Sequence, residues 1–172
     1  MLKLHLGCGK RDFGKTWKHI DAANFDHIDS KNVKKLPYKD QTVDLIYACH
    51  LIAYFDRQEI IPILAEWNRV LKPGGILRLA TPDFWRMSQL YLNSSIRLDL
   101  ILGPLYGKMD NGTNIYHKTV WDFQSLQFTL LLAGFKNVKR YEHTETDHAQ
   151  FDDHSAAYIR QTLISLNIQC NA

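Results

Sequence analysis

The 172 residues, 45% hydrophobic and 23% charged, suit a single globular domain spanning 1–172 with its own core, and exclude widespread disorder. The net charge of +3 is too mild to call for nucleic acid, and Lys31, Lys34 and Lys35 read most simply as a solvated loop. The longest apolar runs, such as Phe128 to Phe135, are far too short to span a bilayer, so no membrane partner is expected.

No charged-then-apolar segment precedes the first motif, and no signal peptide is expected. Cys8, Cys49 and Cys170 are odd in number and widely spaced, which fits a reducing, cytoplasmic setting better than a disulfide framework or a zinc motif.

Leu2 to Leu6 alternates as a strand and stops at Gly7–Cys8–Gly9. Trp17 to Asp21 predicts a second strand, so the first crossover is barely long enough for a helix, which must be short or irregular. A short third strand is expected within Asn32 to Lys35, and Val43 to Ala48 reads as a fourth, buried on both faces. Asp56 and Glu59 have capping-box spacing, and Leu64, Trp67, Val70 and Leu71 form a helical stripe; Pro62 requires that helix to start late or kink. Pro73–Gly74–Gly75 ends it, and Ile76 to Thr81 is the fifth strand.

Residues 83–118 are the least regular, with a helix around Phe84 to Leu92 and a glycine-rich loop from Gly103 to Gly112. Asp122 caps a further helix that Gly134 stops, and Asn137 to Tyr141 and Leu163 to Cys170 are the last strands. The order predicts a doubly wound α/β sheet, mostly parallel, with an antiparallel edge strand.

Gly7 and Gly9 directly follow a strand, where a backbone without Cβ atoms can turn sharply and approach a ligand. An ordinary turn explains a glycine pair equally well. A dinucleotide fingerprint needs a third glycine where Asp12 stands, which disfavours a nicotinamide cofactor. Asp21, ending the second strand, suits the two hydroxyls of a ribose; its plain alternative is a turn cap.

LHLGCGKRDFGKTWKHID resembles the opening of the class I methyltransferases that use S-adenosylmethionine (SAM). LPYKDQTVDLIYACHLIAYF, RVLKPGGILRLATPD and LLLAGFKNV resemble later segments of that family in the same order, and compact bacterial members are the most similar subgroup. The resemblance implies strand order 3-2-1-4-5-7-6, SAM as cofactor and S-adenosylhomocysteine as product. It places Gly7, Cys8 and Gly9 beneath the methionine portion, Asp21 and Ala22 at the ribose, Leu36 beside the adenine, and Ala48 and Cys49 at the methionine end. The family often carries His-x-x-Glu-His after the fourth strand; His50 keeps the first position, while Ala53 and Tyr54 replace the others.

A hydroxyl or ammonium acceptor needs a base, for which His50 is the first candidate and Asp83 the second; local packing and helix capping are their alternatives. Tyr54, Tyr116 and His117 are candidate substrate contacts, with a surface loop the simpler reading of the last two. His143, His148 and His154 match no metal-ligand spacing and read as a mixed polar loop, so no metal is expected. Phe84, Trp85 and Tyr91 read as one helix face packed on the sheet.

The expected reaction is methylation of oxygen or nitrogen on a small polar acceptor such as a saccharide-linked metabolite. A non-catalytic SAM-binding homologue and an RNA or protein methyltransferase are the alternatives. Ala48–Cys49–His50–Leu51 stands where N-methylating DNA enzymes carry Asn/Asp-Pro-Pro-aromatic. Helices that would cover the cofactor from the N-terminal side are not found, so residues 83–118, as a substrate lid, or the second subunit of a homodimer are expected to close the site.

Overall fold

The computed structural model describes residues 1–94, 96–110 and 114–172. Seven strands form the main sheet: β1 (Lys3–Leu6), β2 (Trp17–Ile20), β3 (Ile28–Ser30), β4 (Val43–Cys49), β5 (Leu71–Pro82), β6 (Lys136–Arg140) and β7 (Ser165–Asn171). Their spatial order is 3-2-1-4-5-7-6, as the resemblance implies. The pairs among β1 to β5 are parallel, and β7 runs antiparallel to both neighbours. The reversed strand therefore lies one place in from the edge, with β6 outermost.

Four helices accompany the sheet: α1 (Ile60–Val70), α2 (Phe84–Asn93), α3 (Asp99–Tyr106) and α4 (Phe123–Leu132). Helix α1 starts late, as Pro62 requires. In the turn ahead of it Asp56 N–H donates to the Glu59 carboxylate and the Asp56 side chain accepts from Gln58 N–H, and Pro62 then falls in the first helical turn, where the missing N–H costs least. Its Ile60, Ile63, Leu64, Trp67 and Val70 join Leu126 and Leu130 of α4 against the sheet face built by Leu4, Leu6, Ile20, Ile46, Leu77, Leu79 and Ile168. Asp122 and Ser125 form the capping box of α4, and Gly134 follows its end at φ +93°.

Several local expectations change. Asn32 to Lys35 is a turn, because Asn32 Oδ1 accepts from the N–H groups of Lys34 and Lys35 at 3.0 and 3.1 Å and so competes with strand pairing; the strand is displaced to β3. Pro73–Gly74–Gly75 lies inside β5 as a bulge, between the Val43–Leu71 and Leu45–Ile76 pairs. Gly74 has φ +77°, and a Cβ on Gly75 would stand 2.8 Å from the Lys72 carbonyl, so both positions require glycine. Gly103 is within α3 instead of opening a loop, and Gly112 lies outside the described residues. Phe84, Trp85 and Tyr91 are exposed, while Met87 and Leu90 provide the buried face of α2.

The two sheet faces are covered differently. No helix forms between β1 and β2. Opposite α1 and α4, His5, His19, Tyr47 and Cys49 face a segment that returns over the sheet from residue 142 to 157. Phe13 stacks on His5 at 3.9 Å and on Phe151 at 4.0 Å, and His148 lies 4.0 Å from the Tyr47 ring. Tyr47 donates its hydroxyl to Asp153 at 2.5 Å. His148 and Asp153 are thus buried against the sheet, and this segment is a cover instead of the solvated loop its composition suggests.

Burial pushes the pKa of His5 down to about 3 and that of His148 to about 4, with neighbouring charge adding to the shift. The unfolded chain binds these protons near pH 6.5 and the folded chain refuses them. Their contribution is complete above pH 6.5 and is lost as pH falls towards 4 and 3. Urea unfolding between pH 7.5 and 5 should show stability falling with acid, and His148→Phe should reduce that slope by one proton's share, ~1.4 kcal/mol per pH unit.

Candidate functional site

Gly7 (φ +65°) and Gly9 (φ +54°) turn the chain at the carboxyl end of β1. A Cβ at Gly7 would stand 2.9 Å from Leu51 Cδ1, so glycine alone permits that approach. Around the Cβ position of Gly9 nothing lies within 4 Å, leaving room beside the strand end. Asp21 sits just past β2 and ties the two strand ends together: Oδ2 accepts from Gly9 N–H at 2.7 Å and Oδ1 from Ala23 N–H at 2.8 Å. Both turn-capping and ligand-facing readings of Asp21 survive, since each carboxylate oxygen keeps a second lone pair. Asp12, where a third glycine would stand in a dinucleotide site, accepts from Gly14 N–H at 2.7 Å and shapes a turn.

The carboxyl end of β4 lies beside this loop, since Leu6 pairs with Ala48. His50 follows with φ +52°, held by its N–H donating to the Ala80 carbonyl at 2.7 Å. Its Nε2 is buried and has no hydrogen-bond partner among the described residues. Burial first, then the charges of His154, His117 and Arg11, lower its pKa to about 3. At neutral pH the imidazole is therefore uncharged and has a lone pair to offer, though in this setting it is a weak base.

The His154 ring lies 5.0 Å from that of His50, and Arg11 Nε donates to the Asp152 carbonyl at 2.8 Å. The 142–157 cover thus reaches the glycine loop and His50. His117 stacks edge-on to Tyr54 at 4.6 Å and donates Nδ1–H to the Leu105 carbonyl, 3.1 Å away. Arg11, His50, Tyr54, His117 and His154 consequently gather at one edge of the sheet. Sequence reasoning missed Arg11 and His154; the signal was indirect, in that β4 is apolar on both faces and one of them needs a cover other than a helix.

Four of the candidate residues lie in the interior. Asp83 is fully buried, caps α2 through Arg86 N–H at 3.3 Å, and receives Arg140 Nη1 at 3.3 Å, so its carboxylate is engaged within the fold. Leu36 is core: its N–H donates to Glu66 at 2.9 Å and the nearby Val33 carbonyl accepts from Trp67 at 2.8 Å, docking the segment onto α1. The side chain of Ala48 faces the helical layer, and Cys8 is buried with its thiol pKa pushed up to about 12 by burial, so only their backbones border the site. Tyr116 is exposed, while Ala22 is exposed beside Asp21 and Cys49 is half-buried at the end of β4.

Residues 12–79 match the family described as a methyltransferase domain. A SAM-dependent methyltransferase from Archaeoglobus fulgidus superposes with a TM-score of 0.61 at 14% identity, covering 99% of this chain and 86% of that one. One from Methanosarcina mazei gives 0.53 at 17% identity, covering 99% and 90%, and one from Mesorhizobium loti 0.53 at 15%, also covering 99% and 90%. The chain has the fold of these methyltransferase structures, and its residues 12–79 match the methyltransferase-domain family. No curated protein sequence matches the chain significantly. Among the described residues, no helix of this domain is long and apolar enough to cross a membrane.

The room at Gly9, the carboxylate of Asp21 and the unpartnered Nε2 of His50 fit SAM lying across the ends of β1, β2 and β4. Asp21→Ala should weaken SAM binding by roughly 1–3 kcal/mol, the cost of losing a charged hydrogen bond. Titration calorimetry reads this directly, and an intact far-UV spectrum separates it from unfolding.

Proposed function

We propose that the protein is a cytoplasmic SAM-dependent methyltransferase that methylates oxygen or nitrogen on a small polar, saccharide-linked acceptor. The observation that carries this reading is the convergence of a positive-φ glycine turn, held by Asp21, with His50 at the carboxyl ends of adjacent strands. Ligands of open α/β sheets bind in that crevice.

When bound, SAM supplies an electrophilic methyl group. The backbone of Gly7, Cys8 and Gly9 passes beneath the ligand, and Asp21, followed by Ala22, accepts from its ribose hydroxyls. Ala48 and Cys49 border the methionine end through their backbones. His50 aligns the acceptor by receiving the proton of its reactive hydroxyl or ammonium at Nε2, which is neutral and free at pH 7. Tyr54 and His117 form the acceptor-side wall.

Residues 83–118 close that side as a lid. Their Met87, Leu90, Ile96 and Ile101 pack with Ile164 in a cluster separate from the main core. Its end is pinned where the N–H groups of Lys118 and Thr119 donate to the Ala53 carbonyl at 2.8 and 3.1 Å. The exposed Leu98, Leu100 and Leu102 at α3 suit packing by a second copy in a homodimer.

SAM and S-adenosylhomocysteine should bind with comparable affinity and NAD should give no heat in calorimetry; silence from both sulfur ligands would end this reading. His50→Gln should leave SAM affinity nearly intact and cut turnover by about 10²–10⁴-fold, followed by transfer of label from radioactive SAM. Robust labelling of tRNA or protein, with none of the small-molecule fraction, overturns the choice of acceptor.

A further inference from the structure

A cleft of about 330 Å³ opens beside the candidate site, between the start of α2, the end of β6 and the hairpin that pairs Tyr158–Ile159 with Thr162–Leu163. Its place follows from the sheet register: Asn167 in its wall pairs with Ala80, and Ala80 pairs with Cys49, the residue before His50. Two interstrand spacings make this roughly 10 Å from the wall to the end of β4. Both lie at the carboxyl edge of the parallel strands.

The cleft is rich in donors. Arg86 and Arg140 bring guanidinium groups, Gln161, Thr162 and Ser165 bring amide and hydroxyl groups, and Glu142 is the only acid among the lining residues. Arg140 is fixed from both sides: its guanidinium lies 5.1 Å from the Phe123 ring, and one nitrogen meets the fully buried Asp83 carboxylate at 3.3 Å. The side chain nevertheless stays 47% exposed, so its remaining N–H groups are open to the cleft. Arg86 stands over the Trp85 ring at 5.3 Å, and its guanidinium has no hydrogen bond or ion pair among the described residues. Two arginines, one braced and one unpaired, facing hydroxyl and amide donors form an arrangement suited to a planar or tetrahedral oxyanion.

We propose that this cleft holds the anionic end, a carboxylate or a phosphate, of the methyl acceptor between Arg86 and Arg140. The assignment rests on the transferase reading above and narrows it to acidic acceptors, such as sugar acids or sugar phosphates. Asp83 is then a positioning residue that holds Arg140. The aromatic and imidazole groups at Tyr54, His117 and His50 meet the neutral, reacting end.

The test uses the full chain and a small-metabolite extract split by anion exchange into neutral and anionic fractions, each incubated with methyl-labelled SAM. Label should enter the anionic fraction; phosphatase treatment of that fraction beforehand abolishes labelling for a phosphate and spares it for a carboxylate. Arg86→Gln, chosen because Arg86 braces nothing in the fold, should raise the acceptor concentration for half-maximal rate by at least tenfold with SAM affinity unchanged. Label in the neutral fraction alone, an Arg86→Gln enzyme with unchanged acceptor dependence, or no labelling by protein that binds SAM normally would each overturn the proposal. Failure to bind SAM at all would instead strike the transferase reading on which it rests, and calorimetry on the same preparation tells the two apart.

Discussion

The connection from β1 to β2 is too short to carry a helix across the sheet, and much of the molecule is arranged around that constraint. A doubly wound sheet normally has helices on both faces, yet here α1 and α4 pack on one of them. The other must still be dried, because Tyr47 of β4 and its neighbours lie in the middle of the sheet. The chain solves this with Phe13 from the short connection and with the returning segment 142–157.

A cover without regular structure has to satisfy its own polar groups, which explains the composition of that face. Tyr47 bonds Asp153, Asp153 accepts from Ser155 N–H at 2.8 Å, and Asn167 donates to the Ser155 carbonyl at 2.9 Å. Offset aromatic stacks add about 0.5–1.5 kcal/mol each beyond the area they bury. Against this, His5 Nδ1 and His148 Nε2 are buried without partners among the described residues, at a cost of order 1–3 kcal/mol apiece. The polar face is therefore held by less margin than the aliphatic one. The same segment brings His154 to His50 and receives Arg11, so the weaker layer is also the one that borders the candidate site.

That border gives Asp21 and His50 different standing. Asp21 is engaged on both oxygens by backbone N–H groups, so it builds the loop as well as facing outwards from it. His50 is set in a left-handed conformation by the bond to Ala80 and retains an unused nitrogen. Backbone strain and an orphaned polar atom thus fall on the same residue.

Local chemistry made much of the architecture legible. Alternation marked β1, glycine at a strand end marked the turn, Asp122 with Gly134 delimited α4, and Pro62 delayed α1, because each acts within a few residues of itself. The strand order itself was implied by the resemblance of four ordered segments to a known family. What the sequence alone did not determine depends on partners distant in the chain. Asn32 turned the stretch from Asn32 to Lys35 away from β pairing, Leu36 was drawn beneath α1, and Asp83 was enclosed by α2 and Arg140. The histidines near the C-terminus read as solvated polar residues because polarity is a local property. Only the folded chain buried His148 and set His154 against His50, since an uncovered sheet face can be recognised only once the helices have taken their places.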